Sequence, residues 1–207
     1  VFALTAKILR EIHLARRDPV ETEELRLAMS HESDRGCVLI AAAWVDDQLR
    51  VLIGNIFKDL NDCGVHPVAA KEFDALNRSI LDGCFGKSVN RVNFCRLIGA
   101  IDSPTAAAMA ALFQLRNEHF AHFAGVSELS DSAVAPKLSE FIESVVEAHP
   151  NPASLQNTVC GPGLERLRFT TAFESLRATT FAAETNFFKI AIHRRLRSLP
   201  IELRPHK

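Results

Sequence analysis

Between residues 34 and 60 the chain reads DRGCVLIAAAWVDDQLRVLIGNIFKDL, and within it Val38, Ala42, Val45, Leu49, Leu52 and Ile56 recur at alternating spacings of four and three. That period lines all six along one stripe of a single α-helix. A stripe so long needs cover along its whole length, which only other packed elements supply. No run elsewhere alternates apolar and polar residues with a period of two, so nothing offers a sheet for the job. The expectation is an all-α, multi-helix bundle built around this helix, which stops near Gly64.

The flanking segments agree. Residues 3 to 16 are amphipathic, with Leu4, Ile8, Leu9 and Ile12 to one side. Asp18, Pro19 and Glu21 read as N-cap, N1 and N3 of a short acidic helix reaching about Ser30. Further helices are predicted over 67 to 81, over 88 to 101 after a DGCFGK turn, and from Ser103-Pro104, acting as the cap, to about Phe120. A polar loop at 125 to 132 leads to a helix ending near Ala148. The Pro/Gly-rich stretch HPNPASLQNTVCGPG, 149 to 163, is a loop or arm. A last helix over 164 to 199 has apolar positions at Leu167, Phe173, Leu176, Phe181, Phe188 and Ile192. Residues 1 to 207 read as one helical domain.

Charge narrows the partners. The 24 basic and 25 acidic side chains nearly cancel, so no global field recruits nucleic acid or a membrane surface. Apolar runs such as 38 to 45 stop well short of the roughly 20 residues that span a bilayer, and the N-terminus lacks the apolar core of a signal peptide. The sequence starts at Val1 rather than Met, which points to a few missing residues. Cys37, Cys63, Cys84, Cys95 and Cys160 are scattered without a CxxC pair, so they read as reduced structural thiols of a cytoplasmic protein. His119 and His122 share a helix, but no further pair stands at ligand spacing, so neither a metal nor another cofactor is implied. FGKS at 85 to 88 lacks the upstream glycine of a phosphate loop, since Leu81 stands there; it reads as a turn into a helix capped by Ser88. The tail over 194 to 207 is basic, with Arg194, Arg195, Arg197, Arg204 and Lys207, preceded by Lys189. It suits a helix C-terminus or, in a sharper reading, a phosphate backbone. No helix pair shows a polar recognition face, so direct DNA reading is not expected.

Two polar clusters stand out. In LRNEHFAH, 115 to 122, Arg116 and Asn117 near a helix end can lock helix packing by binding carbonyls of a neighbouring turn. The same group can also do chemistry: Arg116 stabilising a phosphorane-like charge, and His122 acting as acid or base on a ribose 2′-OH. On a regular helix these two lie about 120° apart, so the helix must end or bend near Phe120, or a second subunit must supply one group. The other cluster, His31 to Gly36, opens the long helix; Ser33 or Asp34 is its N-cap, with Arg35 beside them. Of Asp46 and Asp47, one is expected to be solvated and the other to pair with Arg116.

Taken together, ESDRGCVLIAAAWVDDQLRVLI (32 to 53), DGCFGKSVNRVNFCRLIGAI (82 to 101), LRNEHFAH and ERLRFTTAF (165 to 173) resemble the mannitol operon repressor family over about residues 22 to 195. The resemblance implies an HEPN-like helical fold and a role in transcription regulation. Many HEPN domains are ribonucleases whose Arg and His stand a few residues apart, often at a dimer interface. On that resemblance Arg116 and His122 take the catalytic-like positions and Asn117 the polar position after the arginine. The family usually has four residues between the two; this chain has five, with His119 as a substitute. The expected function is a non-enzymatic regulator acting through protein partners as a homodimer, the alternative being metal-independent cleavage of RNA.

Overall fold

A computed structural model describes residues 19–62, 68–121, 128–151 and 165–180. All regular structure among them is helical: α1 (Pro19–His31), α2 (Asp34–Asp62), α3 (Ala70–Asp82), α4 (Ser88–Leu97), α5 (Ser103–Leu115), a π-helical turn (Arg116–Phe120) and α6 (Ala135–Ala148), with α7 over 165–180. The chain is an all-α multi-helix bundle. No described helix is long and apolar enough to cross a membrane.

The bundle is organised on α2, which at about 1.5 Å per residue runs roughly 44 Å. Val38, Ala42, Val45, Leu49, Leu52 and Ile56 are all buried, joined by Cys37, Ala41 and Ile53. Phe169, Ala172, Phe173 and Leu176 of α7 are fully buried, and the Phe173 ring stands edge-on to Trp44 at 5.8 Å. Each Phe or Leu side chain so withdrawn from water contributes about 1.5–3 kcal/mol, which accounts for the pairing of the two helices. Helix α5 is apolar on several sides, burying Ala106, Ala108, Met109, Ala111, Leu112, Phe113 and Leu115. A helix without a polar face belongs inside a bundle, and its alanines let α6 pack closely along it.

Ser33, one of the two expected caps, closes the start of α2, its hydroxyl accepting from the Gly36 N–H at 3.1 Å. Several other helix ends differ from what the sequence predicts. Helix α3 starts at Ala70, not 67. Helix α4 stops at Leu97 instead of reaching Ile101: Gly99 has φ 73°, and the N–H groups of Gly99 and Ala100 return to the carbonyls of Arg96 and Cys95 at 3.0 and 2.8 Å. That is a Schellman stop, which needs a left-handed residue. Ser88 does not cap α4; Lys87 holds the N-cap position without a side-chain bond. Asp102 rather than Ser103 caps α5, accepting from the Thr105 N–H at 2.9 Å. Leu167, assigned to the apolar face of the last helix, is 55% exposed; that face begins at Phe169. The segment 3 to 16, Asp18, Gly64, Cys63, Cys160, most of the 149 to 163 stretch, the last helix beyond 180 and the basic tail lie outside the described residues.

Candidate functional site

Helix α5 does not end at Leu115 but widens. The Ala121 N–H donates to the Arg116 carbonyl at 2.7 Å, an i to i+5 bond that takes one more residue than an α-turn. Leu115 before it and Phe120 at its end are wholly buried, so both ends are fixed in the core while RNEH bulges. Arg116 is half-buried on this bulge. Its Nε and Nη2 both donate to Asn117 Oδ1, at 2.9 and 2.8 Å, and its guanidinium carbon lies 5.4 Å from the centre of the Phe113 ring. Among the described residues no carboxylate forms an ion pair with it. The guanidinium is thus held by an amide and an aromatic ring with its charge not neutralised, an arrangement able to take a phosphate or carboxylate oxygen.

His119 sits half-buried on the same turn; His122 lies outside the described residues. The structure therefore brings Arg116, Asn117 and His119 onto one turn and leaves the Arg116–His122 pair unplaced. Gln114 and Glu118, one turn apart and across the helix from Arg116, face α6. There Lys137 donates to Gln114 at 3.4 Å and Glu140 at 2.9 Å and stands 3.9 Å from Glu118. The hydrogen bond to Glu140 holds the Lys137 ammonium above its ordinary range.

The expected pairing of Asp46 or Asp47 with Arg116 is corrected. Asp46 pairs with Arg91 and stands 3.6 Å from Arg50, which also reaches Asp82 at 2.9 Å. Arg91 is 1% exposed and donates a second bond to the Gly86 carbonyl at 3.1 Å. The FGKS turn is thereby tied to α2. A side chain at Gly86 would meet the Asp82 carbonyl at 2.5 Å, so the turn also needs that glycine. Asp47 is exposed. The sequence reading passed over Arg91, yet a signal existed: a cation in the first turn of a helix opposes the helix dipole and implies an acceptor elsewhere.

Asp34, the other candidate cap of α2, ties distant segments rather than capping. One carboxylate oxygen accepts from the Leu129 N–H at 2.9 Å; the other faces Arg166 at 3.4 Å. Arg166 also donates to the carbonyls of Met29 at 2.8 Å and Glu32 at 2.5 Å. Arg35 is half-buried next to Asp34. An open groove of about 750 Å³ runs past this junction between α1 and α7, lined in part by Arg26, Met29, Asp34, Arg166, Thr170 and Glu174. Among the described residues no group of three or more His, Cys, Asp or Glu side chains is placed to hold a metal ion. Comparison with protein-family models, curated proteins and solved structures finds no match for this chain.

Proposed function

We propose that the chain is an HEPN-like helical regulatory domain of the mannitol operon repressor type, acting through protein partners as a homodimer rather than by reading DNA itself. One observation carries this reading. The segments on which the resemblance rests meet through long-range polar ties, Asp46 with Arg91 and Asp34 with Arg166. Their polar side chains are spent on holding the bundle, as in a domain whose shape is what matters. The near-balanced charge supports it too, since DNA binding draws most of its affinity from phosphate contacts. The test is a pull-down from the native host beside a binding assay with promoter DNA. A protein partner retained at stoichiometric level is expected. Binding of promoter DNA by the protein alone, with a specificity ratio above about 10³, overturns it.

The π turn favours a second reading, metal-independent RNA cleavage at Arg116 and His122. Such turns are rare and frequent at functional sites. This one adds a residue just where the chain has five residues between Arg and His against the family's usual four. Arg116 would stabilise the charge on phosphorus and the histidine would move the 2′-OH proton. Labelled single-stranded RNA is incubated with the protein in EDTA, beside Arg116→Ala and His122→Ala. Cleavage lost in both folded variants supports this reading; cleavage absent in the parent, or equal in all three, removes it.

A further inference from the structure

Among the described side chains of helix α1, contact with the core runs from Leu25, half-buried against it, to Met29, which belongs to it. Between residues 23 and 31 its only fully buried side chain is Met29. The Glu23–Arg26 pair and the Ser30 hydroxyl bond stay within the helix. Among the described residues, the hydrogen bonds that join α1 to other elements converge on its last carbonyls. Arg166 Nη2 donates to Met29 at 2.8 Å and Ser30 at 3.4 Å, then to Glu32 in the link at 2.5 Å. The Cys37 thiol donates to the same Met29 carbonyl at 3.0 Å and is 0% exposed. The last carbonyls of a helix have no partner within it, and here one guanidinium from α7, 39% exposed at its side chain, gathers them.

We propose that α1 is a hinged arm latched by Arg166, and that releasing the guanidinium from the Met29, Ser30 and Glu32 carbonyls swings α1 about the Glu32–Ser33 link and bares Cys37 while the rest of the bundle stays folded. The opening is local because the described part of α1 gives the core one buried side chain, Met29, while the rest of it is supplied by the other helices. This device shares Arg166 with the ties invoked above, but its test reads thiol exposure and not partner binding, so either can fail without the other.

Alkylation with N-ethylmaleimide, mapped cysteine by cysteine by mass spectrometry, tests it. Cys84 is exposed and Cys95 fully buried, so one reports reagent and the other global unfolding. In Arg166→Ala, Cys37 should react at least about tenfold faster, the loss of charged hydrogen bonds being worth that much, and its labelling should stay insensitive to low urea. Arg166→Lys should fall between, because one ammonium cannot span the carbonyls and Asp34 together. In the unaltered protein, Cys37 labelling should not respond to low urea, whereas Cys95 labelling should accelerate, since only global unfolding exposes much surface. Cys37 as protected in Arg166→Ala as in the parent overturns the latch. So does Cys37 labelling that accelerates in low urea as Cys95 labelling does, in the parent or in the variant.

Discussion

Arg91 reaches Asp46 across 45 residues of sequence, and the arginine is 1% exposed at its side chain while the carboxylate is 22% exposed. The pair joins the middle of α2 to the start of α4. With the Gly86 carbonyl as its second acceptor, the guanidinium also fixes the turn between α3 and α4. A buried charge left without its partner is costly, so the pair acts as a register pin: α4 cannot slide along α2 without stranding Arg91.

Arg91→Ala should therefore cost about 3 kcal/mol, the range for breaking a buried pair. Arg50→Ala, which removes a partly exposed cation from the same carboxylate, should cost under about 1 kcal/mol. Urea denaturation of both variants measures the difference. Equal losses would show that Arg91 does not pin the turn.

Two helix ends make a sharper comparison. Asp102→Ala should lose about 1 kcal/mol with the cap of α5, whereas Ser103→Ala should stay within about 0.5 kcal/mol. Gly99→Ala should cost about 1–2 kcal/mol, the strain of a side chain in the left-handed region. Thermal melts rank the three, and a Ser103 effect exceeding that of Asp102 would reverse the assignment.

The contrast shows what could be read in advance. The stripe from Val38 to Ile56 was legible because burial and helical period coincide at every position along it. Ends were less so: Asp102 and Ser103 are both good caps, and only the hydrogen bond to Thr105 decides between them. Gly99 stands between Ile98 and Ala100, where an apolar run hides a stop. The site was legible as a cluster, since Arg116, Asn117 and His119 do share a turn, but not as a geometry. A π turn leaves no mark on periodicity over so few residues, and no spacing rule pairs Asp46 with Arg91 rather than Arg116. Such long-range choices depend on which helices pack, and that is settled by the whole core.

Burial pushes the Cys95 thiol from an ordinary 9.0 up to about 12. In the unfolded chain the thiol ionises first, so rising pH favours unfolding. Its contribution is intact below pH 9 and is lost between about 9 and 12, on the order of 4 kcal/mol in all. Burial raises the Cys37 thiol as well, so the comparison must isolate one residue. Stability measured from pH 8 to 11 should fall more steeply in the parent than in Cys95→Ala, whatever packing the variant loses at neutral pH. Parallel slopes would show that Cys95 does not ionise on unfolding in this range.

Deleting Glu118 asks whether the π turn serves the fold. The residue is 49% exposed at its side chain, and its one ion pair, to Lys137, is 3.9 Å long, so it contributes under about 1 kcal/mol. Its removal lets the turn close with ordinary i to i+4 bonds. Phe120 keeps an α-helical register with α5, and the segment between Arg116 and His122 shortens to four residues. Because a wider turn carries a cost that a regular helix does not, the deletion should leave stability unchanged within about 1 kcal/mol or raise it. A loss above about 3 kcal/mol, the size of a core defect, would show instead that Phe120 needs the bulge to reach its place. With stability kept, the deletion variant is assayed with RNA beside the parent. A change in cleavage then reports on the turn and the spacing it sets between the two groups, and not on loss of the bundle.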